Sequence, residues 1–369
     1  MGGLLMGLVG AASGCAHRYA AAPALAYRDI PYTAVDGTAW PEKRLRITEL
    51  QERHQMHAPF DVHYVELNPS GARTLVFVHG LGSYLKFWRY QLDHFAEAGY
   101  RVLALDMVGF GKSDKPASFP YTMEAMAEVV RIFAHRTKAQ RPVLVGHSMG
   151  GQTALSYAIR YPEALAGLVL VAPAGFEMFG RGERLWFKSV FGVNFIKSGR
   201  EEDVRASIRF NNFNRWRSGY EWLVEERIRT AKNDDFDAYA YANVRSVQGL
   251  LDNDFVRENL RHVGAPTLIT HGDVDRLIPN RFLHGGTTRS LMERAQAQIP
   301  GARLETLGGC GHTLQIDCAE ALNETVGSFL ESLPAPPSSG ADASRAPAGR
   351  GDGKEGRRPV PELLGSKHE

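Results

Sequence analysis

The 369-residue chain has only three cysteines, and almost no net charge, with 43 Lys+Arg against 41 Asp+Glu. So few cysteines exclude a disulfide-dense miniprotein. Balanced charge gives no reason to expect nucleic acid as a partner. No apolar run reaches the roughly 18 residues that a membrane-spanning helix needs. There is no internal repeat, no cluster with metal-ligand spacing and no nucleotide fingerprint, so neither a metal nor a cofactor is expected. What is present is the composition of an ordinary globular protein, 44% hydrophobic, 23% charged and 10% aromatic. The length suits two or three domains, or one larger α/β domain carrying an insertion.

Both ends differ from the middle. Residues 1–15 read MGGLLMGLVGAASGC. The short apolar run from Leu4 to Ala12, followed by small residues, is of signal-peptide type. Ala12-Ser13-Gly14-Cys15 resembles a bacterial lipobox, in which the chain is cut before a cysteine that is then acylated. Lipid attachment at Cys15 would hold the protein on the membrane of the bacterial cell envelope, on the periplasmic side. Simple secretion is the alternative, and a cytoplasmic location the third choice. Residues 16–44 read as a flexible linker. Residues 334–369 are dominated by Pro, Ala, Gly and Ser without an apolar period, and read as a disordered tail.

Residues 45–333 alternate short apolar runs with helical periods. Strands are expected at Leu45–Leu50, Val62–Leu67, Thr74–Val78, Val102–Leu105, Pro142–Gly146, Gly167–Val171, Thr267–Thr270 and Arg303–Leu307. Repeated β-α alternation implies an α/β fold, a mostly parallel eight-stranded sheet with helices on both faces. The rhythm breaks between residues 176 and 263, where no strand-like run occurs and Arg, Glu and aromatics abound. That stretch reads as a helical insertion, leaving 45–175 and 264–333 as the core.

Gly146-His147-Ser148-Met149-Gly150 matches G-x-S-x-G between an apolar run and a helical period. In that context it reads as a nucleophile elbow, a tight turn that lifts the serine above the sheet. A serine hydroxyl needs a base, and the base needs an orienting acid. His312, in Gly308-Gly309-Cys310-Gly311-His312 after the last expected strand, is the candidate base. Asp273 and Asp275 follow the preceding strand, and spacing alone leaves both open as the acid; Glu177 is a weaker third. Oxyanion donors are expected from the backbone N–H of Met149 and of Leu81, the latter in His79-Gly80-Leu81-Gly82. His79 and His147 read as residues that shape these turns. Phe87 and Trp88, just after the oxyanion loop, are candidates for a pocket wall. Cys310 and Cys318 flank His312 and are candidates for a disulfide.

These motifs, together with Asp106-Met-Val-Gly109-Phe-Gly111-Lys-Ser113-Asp114 and Pro279, resemble the α/β-hydrolase superfamily over about residues 60–333. The resemblance implies Asp275 rather than Asp273 as the acid, and makes 176–263 a cap over the pocket. Haloalkane dehalogenases and epoxide hydrolases carry aspartate at the elbow, which Ser148 argues against. Ser-Met-Gly-Gly is similar to carboxylesterases, monoacylglycerol-type lipases, carbon–carbon bond hydrolases and cofactor-free haloperoxidases. The leading expectation is therefore a hydrolase of small-molecule esters. A carbon–carbon hydrolase or acyltransferase with the same triad, or a non-catalytic binding member, are the alternatives.

Overall fold

The computed structural model describes residues 18–335. The signal-like segment with Cys15, and the tail from residue 336 onward, lie outside the described residues. At the centre is an eight-stranded sheet: β1 (Glu42–Ile47), β2 (Phe60–Leu67), β3 (Thr74–Val78), β4 (Arg101–Leu105), β5 (Val143–His147), β6 (Gly167–Val171), β7 (Thr267–Gly272) and β8 (Arg303–Leu307). Their spatial order is β1-β2-β4-β3-β5-β6-β7-β8. β1 and β2 are antiparallel to their neighbours, and β3 to β8 pair in parallel. Parallel strands covered on both faces need continuous apolar runs rather than alternation. β5, β6 and β7 have every residue buried. β1 begins and ends three residues earlier than its apolar run suggests: Leu50 is buried, but in the turn that follows the strand.

The helices are α1 (Leu92–Glu97), α2 (Met123–Arg136), α3 (Met149–Arg160), α4 (Arg181–Val190), α5 (Val193–Lys197), α6 (Glu201–Asn212), α7 (Glu221–Thr230), α8 (Phe236–Leu251), α9 (Asp254–Asn259), α10 (Thr288–Gln296), α11 (Leu314–Asp317) and α12 (Ala319–Ser332). α4 to α9 all fall between β6 and β7 and form the cap. This is the α/β-hydrolase architecture, with the insertion where the rhythm of the sequence breaks.

One expectation is corrected. Residues 18–44 are not a flexible linker but a strap packed on the domain. Tyr27, Ile30, Tyr32 and Trp40 are buried in the main core. The Tyr32 hydroxyl donates to Asp106, and the Trp40 indole N–H donates to Asp93 at 3.0 Å. Further up, the Leu25 N–H donates to the Arg229 carbonyl at 3.1 Å, and the Lys232 ammonium donates to the carbonyls of Tyr19, Ala20 and Ala22. Ahead of β1 the strap has no period because, apart from one 3-10 turn at Tyr27–Asp29, it is neither helix nor strand. Its irregularly spaced aromatics supply the burial that orders it.

Candidate active site

Ser148 sits between β5 and α3 at φ 52°, ψ −114°. Such a backbone is strained for a residue with a side chain, and the surroundings must hold it. The Ser148 N–H donates to the Val171 carbonyl at 3.0 Å, and its own carbonyl accepts from Ala174 at 3.0 Å. The glycines around it are needed for close approach. A Cβ on Gly146 would lie 2.4 Å from the Gly150 oxygen, and one on Gly150 would lie 2.2 Å from the Val78 oxygen. The helix can therefore press onto the sheet directly beneath the serine.

The acid and the base come from the next strand ends. Asp275 follows β7 and His312 follows β8, so all three residues stand at the C-terminal edge of the parallel strands. The His312 Nδ1–H donates to Asp275 Oδ2 at 2.8 Å, with both residues buried. The other carboxylate oxygen of Asp275 accepts from the N–H groups of Leu277 at 2.8 Å and Ile278 at 3.1 Å. Those bonds aim the carboxylate and fix the imidazole tautomer that leaves Nε2 free to accept a proton. Asp273 points elsewhere and accepts from the Gly309 N–H at 2.7 Å. Glu177, the third candidate acid, accepts from the Asn280 N–H at 2.6 Å and pairs with His284. Neither is hydrogen-bonded to His312.

Ser148 and His312 line one cavity of about 240 Å³ with Leu81. Met149 is the first residue of α3, so its N–H has no acceptor within the helix. The Leu81 N–H donates to no acceptor among the described residues. The loop carrying Leu81 is fixed by His79, whose Nε2 accepts from the Met107 N–H at 2.9 Å while its Nδ1–H donates to the Gly80 carbonyl at 2.7 Å. Complete burial pushes the His79 imidazole down to about 4, which keeps it neutral in this two-way role. His147 donates from Nε2 to the His312 carbonyl at 3.1 Å, and burial holds its imidazole well below the usual range.

The base loop is pinned rather than free. Cys310 and Cys318 are joined in a disulfide, with Cα atoms 5.9 Å apart. Asp317 accepts from the Gly311 N–H at 2.7 Å and from the Asn214 N–H at 2.8 Å. The Thr313 N–H donates to the Asn212 carbonyl at 3.0 Å. The end of cap helix α6 thus grips the histidine loop. Sequence reasoning missed Asp317, Asn212 and Asn214; the contacts of the two asparagines with the loop span about a hundred residues and leave no local pattern.

Trp88 is not a pocket wall. It is fully buried against Phe77, with ring centroids 5.2 Å apart, and lines neither cavity beside the site. Phe87 lines a second cavity of about 500 Å³, which shares Leu81 with the first and also borders Thr313. The pattern that put both residues after the oxyanion loop could not tell which side of a single helical turn faces inward. Tyr84 and, from α7, Glu226 line this second cavity, and behind them Lys86 pairs with Glu226 at 2.5 Å while the Tyr84 hydroxyl donates to the same carboxylate. This buried pair fastens the cap to the core, with the Lys86 ammonium 4.8 Å from the Trp222 ring centroid. The smaller cavity is roofed by Phe179, Phe187 and Phe191 of the cap.

Comparison with known proteins agrees with this geometry. The alpha/beta hydrolase fold family matches residues 73–319. The 2-hydroxymuconate semialdehyde hydrolase of Pseudomonas sp. strain CF600 is 32% identical over 271 residues, covering 72% of this chain and 89% of that protein. The uncharacterized hydrolase YugF of Bacillus subtilis strain 168 is 26% identical over 277 residues, covering 73% and 94%. Among solved structures, a probable hydrolytic enzyme of Pseudomonas aeruginosa PAO1 superposes with a TM-score of 0.72 at 26% identity, covering 84% of this chain and 99% of that one. Serine elbow, paired acid and base, capped parallel sheet and these relatives agree: the chain belongs to the α/β-hydrolase family and is a hydrolase.

Proposed function

We propose that this hydrolase cleaves carboxylic esters through an acyl-enzyme on Ser148. The Ser148 hydroxyl attacks the acyl carbon and its proton passes to His312 Nε2. Asp275 holds the resulting imidazolium, and the N–H groups of Leu81 and Met149 receive the developing oxyanion. His312 returns the proton to the departing alcohol. Water then attacks the acyl-enzyme by the same route, releasing the acid and freeing Ser148. The fully buried carboxylate beside His312 is worth most in the imidazolium state, where its attraction is least screened.

The observation that carries this reading is the lining of the cavity on Ser148. Phe179, Phe187, Phe191, Leu250 and Leu251 dominate it, and no Lys or Arg is among its lining residues. A neutral apolar acyl group fits such a surface, whereas an anionic substrate there would lack a counter-charge. The second reading is carbon–carbon bond hydrolysis. It is favoured by the similarity to the 2-hydroxymuconate semialdehyde hydrolase and to a 2-hydroxy-6-oxononadienedioate/2-hydroxy-6-oxononatrienedioate hydrolase of Paraburkholderia phymatum, 28% identical over 281 residues. A panel of p-nitrophenyl esters from acetate to laurate, run beside a 2-hydroxy-6-oxo-dienoate, separates the two. Ester kcat/KM exceeding that of the dienoate supports the proposal, and the reverse order overturns it. An envelope location with lipid on Cys15 belongs to the same proposal. Blocking signal peptidase II should leave an uncleaved precursor.

A further inference from the structure

Among the described residues, the outer face of the cap exposes several large apolar side chains. Cap helix α4 has no buried residue at all. Phe187 turns toward the cavity on Ser148, while Leu185 and Trp186 are 59% and 49% exposed. Met178 is 62% exposed just before α4, and Phe282 is 94% exposed in the loop after Asp275. The two segments are neighbours, because the Phe179 ring lies 5.2 Å from that of His284 and Glu177 accepts from the Asn280 N–H. Leu277 joins them, lining the catalytic cavity from this side while remaining partly exposed. The face continues through Arg276, whose guanidinium stands 4.8 Å from the exposed Phe210 ring.

Residues 181–217 hold nine Lys/Arg against four Asp/Glu, and Arg184, Lys188 and Lys197 of this stretch pair with Asp252, Asp254 and Asp237. Arg181, Arg209, Arg215 and Arg217 are exposed and form no ion pair among the described residues. Large apolar side chains interleaved with unpaired cations are what an anionic lipid surface binds: the apolar groups enter the acyl boundary and the cations meet the headgroups.

The strap supplies an independent observation. Its first described residues lie on the cap, where the Tyr19 N–H donates to Glu201, in the first turn of α6, at 2.8 Å. Cys15 is four residues before Tyr19, a reach of at most about 14 Å. The described start of the chain is thus tied to the cap, through Glu201 and Lys232.

We infer that the outer face of the cap, from Met178 through α4 together with Leu277 and Phe282, seats on an anionic phospholipid bilayer, with the mouth of the Ser148 cavity toward the lipid. The inference rests on the ester reading only for what enters the cavity; the binding itself does not depend on it. Substrate then comes from the membrane, as an apolar acyl ester partitioned into the outermost layer of the bilayer. The strap replaces a flexible tether because orientation, not reach, is what this arrangement needs.

The test is vesicle sedimentation of the full chain carrying Cys15→Ser, so that no acyl group contributes. The probes are vesicles of phosphatidylglycerol mixed with phosphatidylcholine, and of phosphatidylcholine alone. Binding to the anionic vesicles is expected, weakened about tenfold or more by Leu185→Ser/Trp186→Ser/Phe282→Ser and weakened by salt. The triple variant should keep its turnover of p-nitrophenyl acetate in solution, which shows that it is folded. Ser148→Ala should bind vesicles like the parent, so loss of ester activity and loss of binding are separate outcomes. No binding by the parent, or binding that the triple variant retains in full, overturns the inference. So does concentration-dependent dimerisation of the parent that the triple variant abolishes without vesicle binding, which would assign the face to a second copy of the chain.

Discussion

The two halves of the site are built differently. The core half holds Ser148, Asp275 and His312 in turns at strand ends, where each is fixed by backbone hydrogen bonds, close glycine contacts or a buried carboxylate. The cap half is a set of short helices whose inner aromatics line the cavities and whose outer side chains are largely exposed. Chemistry needs placement to within a fraction of an ångström, and a strained turn under a rigid sheet provides it. Selection among substrates needs only a wall of suitable shape, and side chains on helices provide that. The difference predicts that changes in the core half abolish turnover whereas changes in the cap half redirect it.

The largest effect should come from Asp275→Asn, which removes the charge beside His312 and offers the wrong tautomer. A fall of about 10⁴-fold in kcat is expected, with KM little altered. Asp273→Asn, two residues away, should leave kcat within about threefold. Comparable losses in the two variants would break the assignment of the acid.

The base loop stands where core and cap meet. Opening the Cys310–Cys318 disulfide with Cys310→Ser/Cys318→Ser frees a short loop, separation 8 residues, in the unfolded chain. About 2.5 kcal/mol of stability should be lost by loop-closure entropy, read as a lower denaturation midpoint. Activity at 25 °C should largely persist, because Asp317 still holds Gly311. Full inactivation without loss of stability would mean that the disulfide, not Asp317, positions His312.

In the cap half, Phe187→Ala should enlarge the cavity on Ser148. The ratio of kcat/KM for a long over a short acyl ester should rise about tenfold, while acetate turnover stays near the parent value. A uniform fall across chain lengths would show that Phe187 serves the chemistry.

The smallest effect concerns pH. His79 and His147 are depressed by burial, so the stability they confer in neutral form is present above about 6.5 and is lost as pH falls below it, for His79 down to about 4. Asp106 opposes them. Burial raises its carboxyl to about 6, so the folded state takes up its proton first and gains stability as pH falls through 6. Asp106→Asn removes that opposing slope and should steepen the acid-side loss in a series of thermal unfolding curves. A flatter profile in the variant would contradict the sign.

How much was legible followed from how local each signal is. The elbow reads directly, because G-x-S-x-G, the run Val143–Val145 before it and the period of α3 are contiguous. The central strands β3 to β7 read equally well, since buried parallel strands leave unbroken apolar runs, whereas the antiparallel, mostly exposed β1 lies three residues before its expected place. Asp275 needed the family resemblance, because two aspartates two residues apart in one loop differ only in direction. The strap escaped detection because Tyr27, Ile30, Tyr32 and Trp40 follow no period, and burial together with long-range hydrogen bonds to Asp106 and Asp93 orders them. The grip of Asn212 and Asn214 on the base loop, and the Lys86–Glu226 fastening, join residues about a hundred or more positions apart. No short window contains both partners, so only the folded chain reveals them.

The central claim is that Ser148 is the nucleophile. Its most direct test is labelling with a fluorophosphonate, followed by peptide mass analysis. One adduct on the peptide containing Ser148, absent from Ser148→Ala and slowed by Asp275→Asn, is expected. An adduct on another residue, or labelling that survives Ser148→Ala, would contradict it.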